Sequence, residues 1–300
     1  MKNTYVLCIL LLCLAGIGPV TTLAHGVDKA KLFFEEGLLL QKAGKLEAAT
    51  TKYLAAIQAD VAFKEAYMAL AGLKFDQEQF QAARMYRELA TRYGAPADGF
   101  FIGECYFLEG KADSALQAYT IALQVSPEHE KAACRIAQVY GLRQQYDLSI
   151  QYYQTAIATG KSVGDASFAM AKIYFTMANF RNAAQAFEQS AKYGKAADAD
   201  YYYHLGISYI QQNETEKGIE CLESAHVLRT NDIQIMLSLA DAYFKKQNFA
   251  KAIVQWNNIL VLQPQNAFVM FMLGKSYICS GEVLKGQRIC DQALIVGDVK

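Results

Sequence analysis

Slid against itself, this 300-residue chain matches at an offset of about 34 residues along most of its length. A repeat of that length constrains the fold more than any single motif, because it demands one small helical or mixed unit built again and again. Its carriers are small residues followed three places later by tyrosine: Gly103 before Tyr106, Gly206 before Tyr209 and Gly274 before Tyr277. Alanine takes the same place before Tyr140, Tyr174 and Tyr243, as Ala137, Ala171 and Ala240. A residue without bulk lets two helices approach closely, and the tyrosine one turn on fills the gap beside it. Some nine residues after each tyrosine a second small residue appears, Ala115, Ala183, Gly218, Ala252 or Gly286, with a large one four places later. Those are Tyr119, Phe187, Leu222, Trp256 and, less typically, Cys290; small residues such as Ala122, Ala225 and Ala293 follow three further on. This i, i+4, i+7 spacing marks one face of a second helix. Pro127 and Pro264 fall at equivalent places between units, where a missing N–H and a fixed φ end one helix and prepare the next. With only 4 prolines and 53% hydrophobic residues, the chain has a helical composition and enough apolar material for a continuous core.

These residues resemble the tetratricopeptide repeat, whose pattern sets a large residue, Leu-Gly, Tyr, Ala, Phe, Ala and Pro at fixed offsets. The resemblance implies an all-α, right-handed superhelical solenoid of about eight helix-turn-helix units. They are placed at 30–63, 64–95, 96–129, 130–163, 164–198, 199–232, 233–266 and 267–300. Unit two is the least regular, with Ala71 for glycine, Phe75 displaced from the tyrosine place and Arg87 where an aromatic is expected. One unit cannot bury its apolar face alone, so stacking makes residues 25–300 a single repeat domain with no room for another.

The first 24 residues read as a secretory signal peptide: Lys2, an uncharged stretch from Tyr5 to Val20, then Thr22-Leu23-Ala24. The apolar part ends at Gly18-Pro19, short of the roughly 20 residues a membrane span needs, so an uncleaved anchor is the lesser expectation. The mature chain is therefore expected in the periplasm or outside the cell. Five cysteines remain in it, Cys105, Cys134, Cys221, Cys279 and Cys290, none in a C-x-x-C pair or at zinc-ligand spacing from histidine. No metal and no cofactor is expected, and most of the thiols read as small buried hydrophobes. With 29 basic and 29 acidic residues the chain lacks the broad basic surface that nucleic acid requires.

Catalytic motifs do not hold up. Gly160-Lys161-Ser162-Val163-Gly164 fits G-x-S-x-G, but a nucleophile elbow needs a strand before it, and here a helix precedes it. The same Gly-Lys-Ser resembles the end of a phosphate loop whose first glycine is replaced by Thr155. His25, His129, His204 and His226 lie in separate units without acid or thiol partners at useful spacing, so no enzyme is expected.

The resemblance also implies where a partner would sit, because particular places on the first helix of each unit line the concave groove of such a solenoid. The fifth place holds Phe34, Met68, Phe100, Cys134, Phe168, Tyr203, Leu237 and Phe271. The twelfth holds Gln41, Phe75, Phe107, Gly141, Phe175, Ile210, Phe244 and Ile278. Two aromatic stripes follow, with polar groove residues of mixed sign between them, Lys172, Asp241 and Lys275 included. The family's carboxylate-gripping device is mostly absent: Lys131 and Arg135 match its basic pair, whereas Met68, Gly72 and Phe101 occupy the other ligand places. The expected function is a non-catalytic scaffold or adaptor binding a protein or peptide in an aromatic-lined groove. The alternative is an envelope-assembly or carbohydrate-binding accessory subunit whose rings stack on sugars. At the C-terminal repeat, Val283, Leu284, Ile289, Leu294 and Ile295 are expected to present apolar surface that a partner or a second copy covers, giving a homo-oligomer in the latter case.

Overall fold

A computed structural model of the chain describes the backbone from residue 19 to 298 and side chains from 27 to 297. Of the signal peptide expected over 1–24, residues 1–18 lie outside the described residues. Sixteen helices and no strand occur among the described residues. Contacts group them into two compact units, Met1–Pro127 and Glu128–Lys300. The first unit holds α1 (Pro19–Lys42), α2 (Leu46–Ala59), α3 (Lys64–Asp76), α4 (Phe80–Arg92), α5 (Gly99–Leu108) and α6 (Ala112–Val125). The second begins with α7 (Glu130–Leu142), α8 (Tyr146–Ala158), α9 (Val163–Thr176), α10 (Phe180–Lys192) and α11 (Ala199–Gln211). It continues with α12 (Thr215–Leu228), α13 (Ile233–Lys245), α14 (Phe249–Leu262), α15 (Ala267–Cys279) and α16 (Val283–Asp298). No helix among the described residues is long and apolar enough to cross a membrane.

Each odd-numbered helix packs on the even-numbered one after it, and within each unit the second helix of a pair packs on the first of the next. Eight helix-turn-helix pairs result. Each pair turns on one residue with left-handed backbone: Gly44, Glu78, Gly110, Gln144, Ala178, Asn213, Gln247 and Gly281, all at φ between 56° and 98°. The next residue's N–H closes each turn by donating to the carbonyl five residues back, as Gln145 does to Tyr140 and Asn248 to Tyr243. Five of the eight turn residues are not glycine and carry the roughly 1 kcal/mol steric penalty of that conformation. The hydrogen-bonded closure offsets it.

The pairs are held by small residues set against large ones. A Cβ on Gly103 would lie 2.4 Å from the Tyr119 ring, and one on Gly37 2.5 Å from Tyr53. In the last pair the approach is to backbone rather than to a ring, since a Cβ on Gly286 would meet the carbonyl oxygen of Gly274 at 2.4 Å. Gly286 therefore sits at a backbone-to-backbone crossing that even alanine would force apart. Around these crossings the second unit buries Leu222, Ile235, Met236, Leu239, Trp256 and Ile259 in one cluster, and the first buries Tyr53, Leu70 and Leu73 in another. Burial of such side chains at about 25 cal/mol per Å² of apolar surface is the main stabilising term.

Candidate partner-binding face

The five first helices of the second unit are α7, α9, α11, α13 and α15. On α9, Phe168 sets its edge against Phe187 of α10 at 5.6 Å between centroids, and Phe175 does the same with Phe180 across the turn at 5.6 Å. Phe244 on α13 meets Phe249 of α14 at 5.5 Å. In the first unit, Phe34 touches Tyr53, Phe75 touches Phe80, and Phe100 touches Tyr119, at 5.6 to 5.8 Å. Phe75 also reaches Phe101 of α5. The rings thus follow two rules: a fifth-place ring leans on the large residue of the second helix, and a twelfth-place ring leans on the residue that opens that helix. They are anchored on one side and half-buried, as are Phe107 and Tyr203, whereas Phe271 on α15 is 41% exposed.

Lysines lie over several of these rings. The Lys172 and Lys195 ammonium groups stand 5.8 and 5.3 Å from the Phe168 centroid. Lys275 stands 5.8 Å from Phe244 and 5.9 Å from Phe271, bridging rings of neighbouring repeats. Such cation–π contacts contribute about 0.5–1 kcal/mol at exposed sites. Lys131 is exposed at the start of α7, and Arg135, one turn on, donates to Oε1 of Gln138 at 2.9 Å.

The residue that looked least regular in the sequence has a defined role. Arg87 is 8% exposed and donates to Asp98 Oδ2 at 2.9 Å, while Asp98 caps α5 by accepting from the Phe101 N–H. Arg84, equally buried, donates to Glu109 Oε2 at 2.8 Å and lies 4.1 Å from the Tyr106 ring centroid. Burial works to raise the Glu109 pKa, but hydrogen bonds from Lys111 and Arg84 outweigh it and hold it below the usual carboxylate value. Of the two arginines only Arg87 stood out in the sequence, as an irregularity; their acidic partners Asp98 and Glu109 lie on the next repeat.

Burial pushes the Cys105, Cys134 and Cys221 thiols up to about 11, leaving them protonated and unreactive at neutral pH. Gly160 to Ser162 form the turn between α8 and α9, where a nucleophile elbow would need a strand. His129 accepts from the Ala132 N–H as a helix cap, and no three metal-ligating side chains cluster among the described residues.

Paired helices, small-against-large crossings and a left-handed residue in every turn define the chain as a helical-repeat solenoid. A sequence model of the tetratricopeptide repeat matches residues 103–163 and 168–230. The chloroplastic tetratricopeptide repeat domain-containing protein PYG7 of Arabidopsis thaliana is 32% identical over 68 residues, a stretch that makes up 23% of this chain and 23% of that protein. The C-terminal part of a tetratricopeptide-repeat protein from Cytophaga hutchinsonii superposes with a TM-score of 0.67 at 17% identity, covering 80% of this chain and 99% of its own. YrrB, described as a tetratricopeptide-repeat protein with an unusual peptide-binding site, gives a TM-score of 0.56 at 18% identity over 60% of this chain and 93% of its own. Residues 103–163 and 168–230 thus match the tetratricopeptide repeat in sequence, and the helical pairs share the fold of solved tetratricopeptide-repeat structures.

Proposed function

We propose that the chain is an exported, non-catalytic scaffold that binds an extended segment of a partner protein along the face of its first helices. The supporting observation is the row of half-buried rings, Phe168, Phe175, Tyr203 and Phe244, ending in the exposed Phe271. Rings fixed by a second helix present apolar area at little cost in side-chain entropy, which is what a binding surface for an apolar segment needs. The peptide-binding site attributed to YrrB is consistent with this use of the fold. A sugar-stacking reading fits less well, because the faces of Phe168, Phe244 and Phe271 are attended by lysine ammonium groups rather than left flat and open.

Export rests on the leader-like residues 1–24. N-terminal sequencing of the mature protein is expected to start within a few residues of His25; a retained Met1 would contradict it. For the binding face, random peptides displayed on phage and selected on the full chain are expected to lose binding to Phe168→Ala and Phe271→Ala but not to Leu284→Ala, whose parent side chain is exposed on α16. Selected peptides indifferent to the two ring substitutions would remove the basis of the proposal.

A further inference from the structure

We infer, resting on that binding face, that the partner segment is acidic as well as apolar, with Asp or Glu side chains spaced between large apolar ones. The five first helices of the second unit carry four carboxylates, Glu130, Asp165, Asp200 and Asp241, and among the described residues three of the four are already paired within the protein. Lys195 holds Asp165 at 2.9 Å, Arg229 holds Asp200 at 2.8 Å, and Lys245 holds Asp241 at 2.7 Å. Lys172 and Lys275, by contrast, make ring contacts and no ion pair with a described carboxylate. Each follows its ring by four residues, Lys172 after Phe168 and Lys275 after Phe271, so cation and ring share one helix face.

Internal pairing therefore cancels most of the negative charge of this surface and leaves two ammonium groups standing over aromatic rings. A ring covers one side of each ammonium without neutralising it, so the remaining N–H donors are available to an incoming carboxylate. An apolar side chain beside that carboxylate would lie on the same ring. The repeat of this arrangement on α9 and on α15, with half-buried Tyr203 and Leu237 on the helices between, calls for two acidic positions flanking an apolar stretch. A basic segment would set its charges against Lys172 and Lys275 and find Asp165, Asp200 and Asp241 occupied.

The test uses the full chain and three fluorescent 12-residue peptides read by anisotropy: Phe and Leu alternating with Asp and Glu, the same apolar residues alternating with Lys, and the acidic residues alternating with Gly and Ser. The acidic-apolar peptide is expected to bind tightest, and to weaken as salt rises from about 50 mM to about 500 mM. Lys172→Glu with Lys275→Glu should weaken it about tenfold or more and improve the lysine peptide, while Lys172→Met with Lys275→Met should weaken it without that reversal. Equal or tighter binding of the lysine peptide, still abolished by Phe271→Ala, would overturn the acidic assignment and leave the binding face standing. Equal binding of the acidic peptide lacking apolar residues would also overturn it, as charge alone would then suffice. Binding of all three that ignores Phe168→Ala and Phe271→Ala would overturn the binding face and this inference with it.

Discussion

Trp256 in the second unit and Arg87 in the first stand at the same place in their repeats, sixteen residues after a small residue of the preceding helix, Ala240 and Ala71. Trp256 is 1% exposed within a cluster of Leu222, Leu239, Ile259 and Val269, and its stabilisation comes from apolar area removed from water. Arg87 is nearly as buried, but its guanidinium must be matched by Asp98, while its stem supplies some apolar cover. One place in the repeat therefore accepts either a ring or a paired cation. What it requires is volume opposite the small residue; the Asp98 pairing meets the Arg87 charge, while Nε of Arg87 and Nε1 of Trp256 stay buried without a hydrogen-bond partner.

The comparison can be broken most severely at the tryptophan. Trp256→Ala is expected to cost about 3–5 kcal/mol in denaturant unfolding, because the cavity opens inside a cluster that other repeats share. Arg87→Met should cost less, about 1–2 kcal/mol, since the Asp98 side chain is 35% exposed and keeps its cap on α5 after losing the guanidinium. Adding Asp98→Asn to Arg87→Met should then change stability by less than Asp98→Asn does alone, the coupling expected of a direct pair. Equal costs for Trp256→Ala and Arg87→Met would mean that the two residues are used alike.

Much of this was legible in the sequence, and the comparison shows where it stopped. The small-against-large rule reads directly from Gly103 and Tyr119 or Ala171 and Phe187, because steric complementarity leaves a residue-size pattern at fixed spacing. Gly286 read as a small residue of the repeat pattern, but its backbone-to-backbone crossing with Gly274 depends on the partner helix and is not visible in the sequence. The left-handed turn residues were hidden: glutamate, glutamine, alanine and asparagine take that conformation because a local hydrogen bond stabilises the turn, and composition does not announce it. The pairing of Arg84 and Arg87 with residues of the next repeat was likewise invisible in any one repeat. The aromatic stripes were readable as residue types, but not the way each ring leans on its second helix, which leaves them half-buried rather than free.

That last point decides between two uses of the rings, and the account depends on it. Unfolding midpoints of Phe168→Ala, Tyr203→Ala and Phe271→Ala, measured beside Trp256→Ala in the full chain, test it most directly. Rings anchored on one side and held out for a partner should cost about 1 kcal/mol or less where most exposed, at Phe271, and no more than about 2 kcal/mol at Phe168 and Tyr203. Losses at all three matching that of Trp256→Ala would show that the rings belong to the core and that the first-helix face is not built for binding.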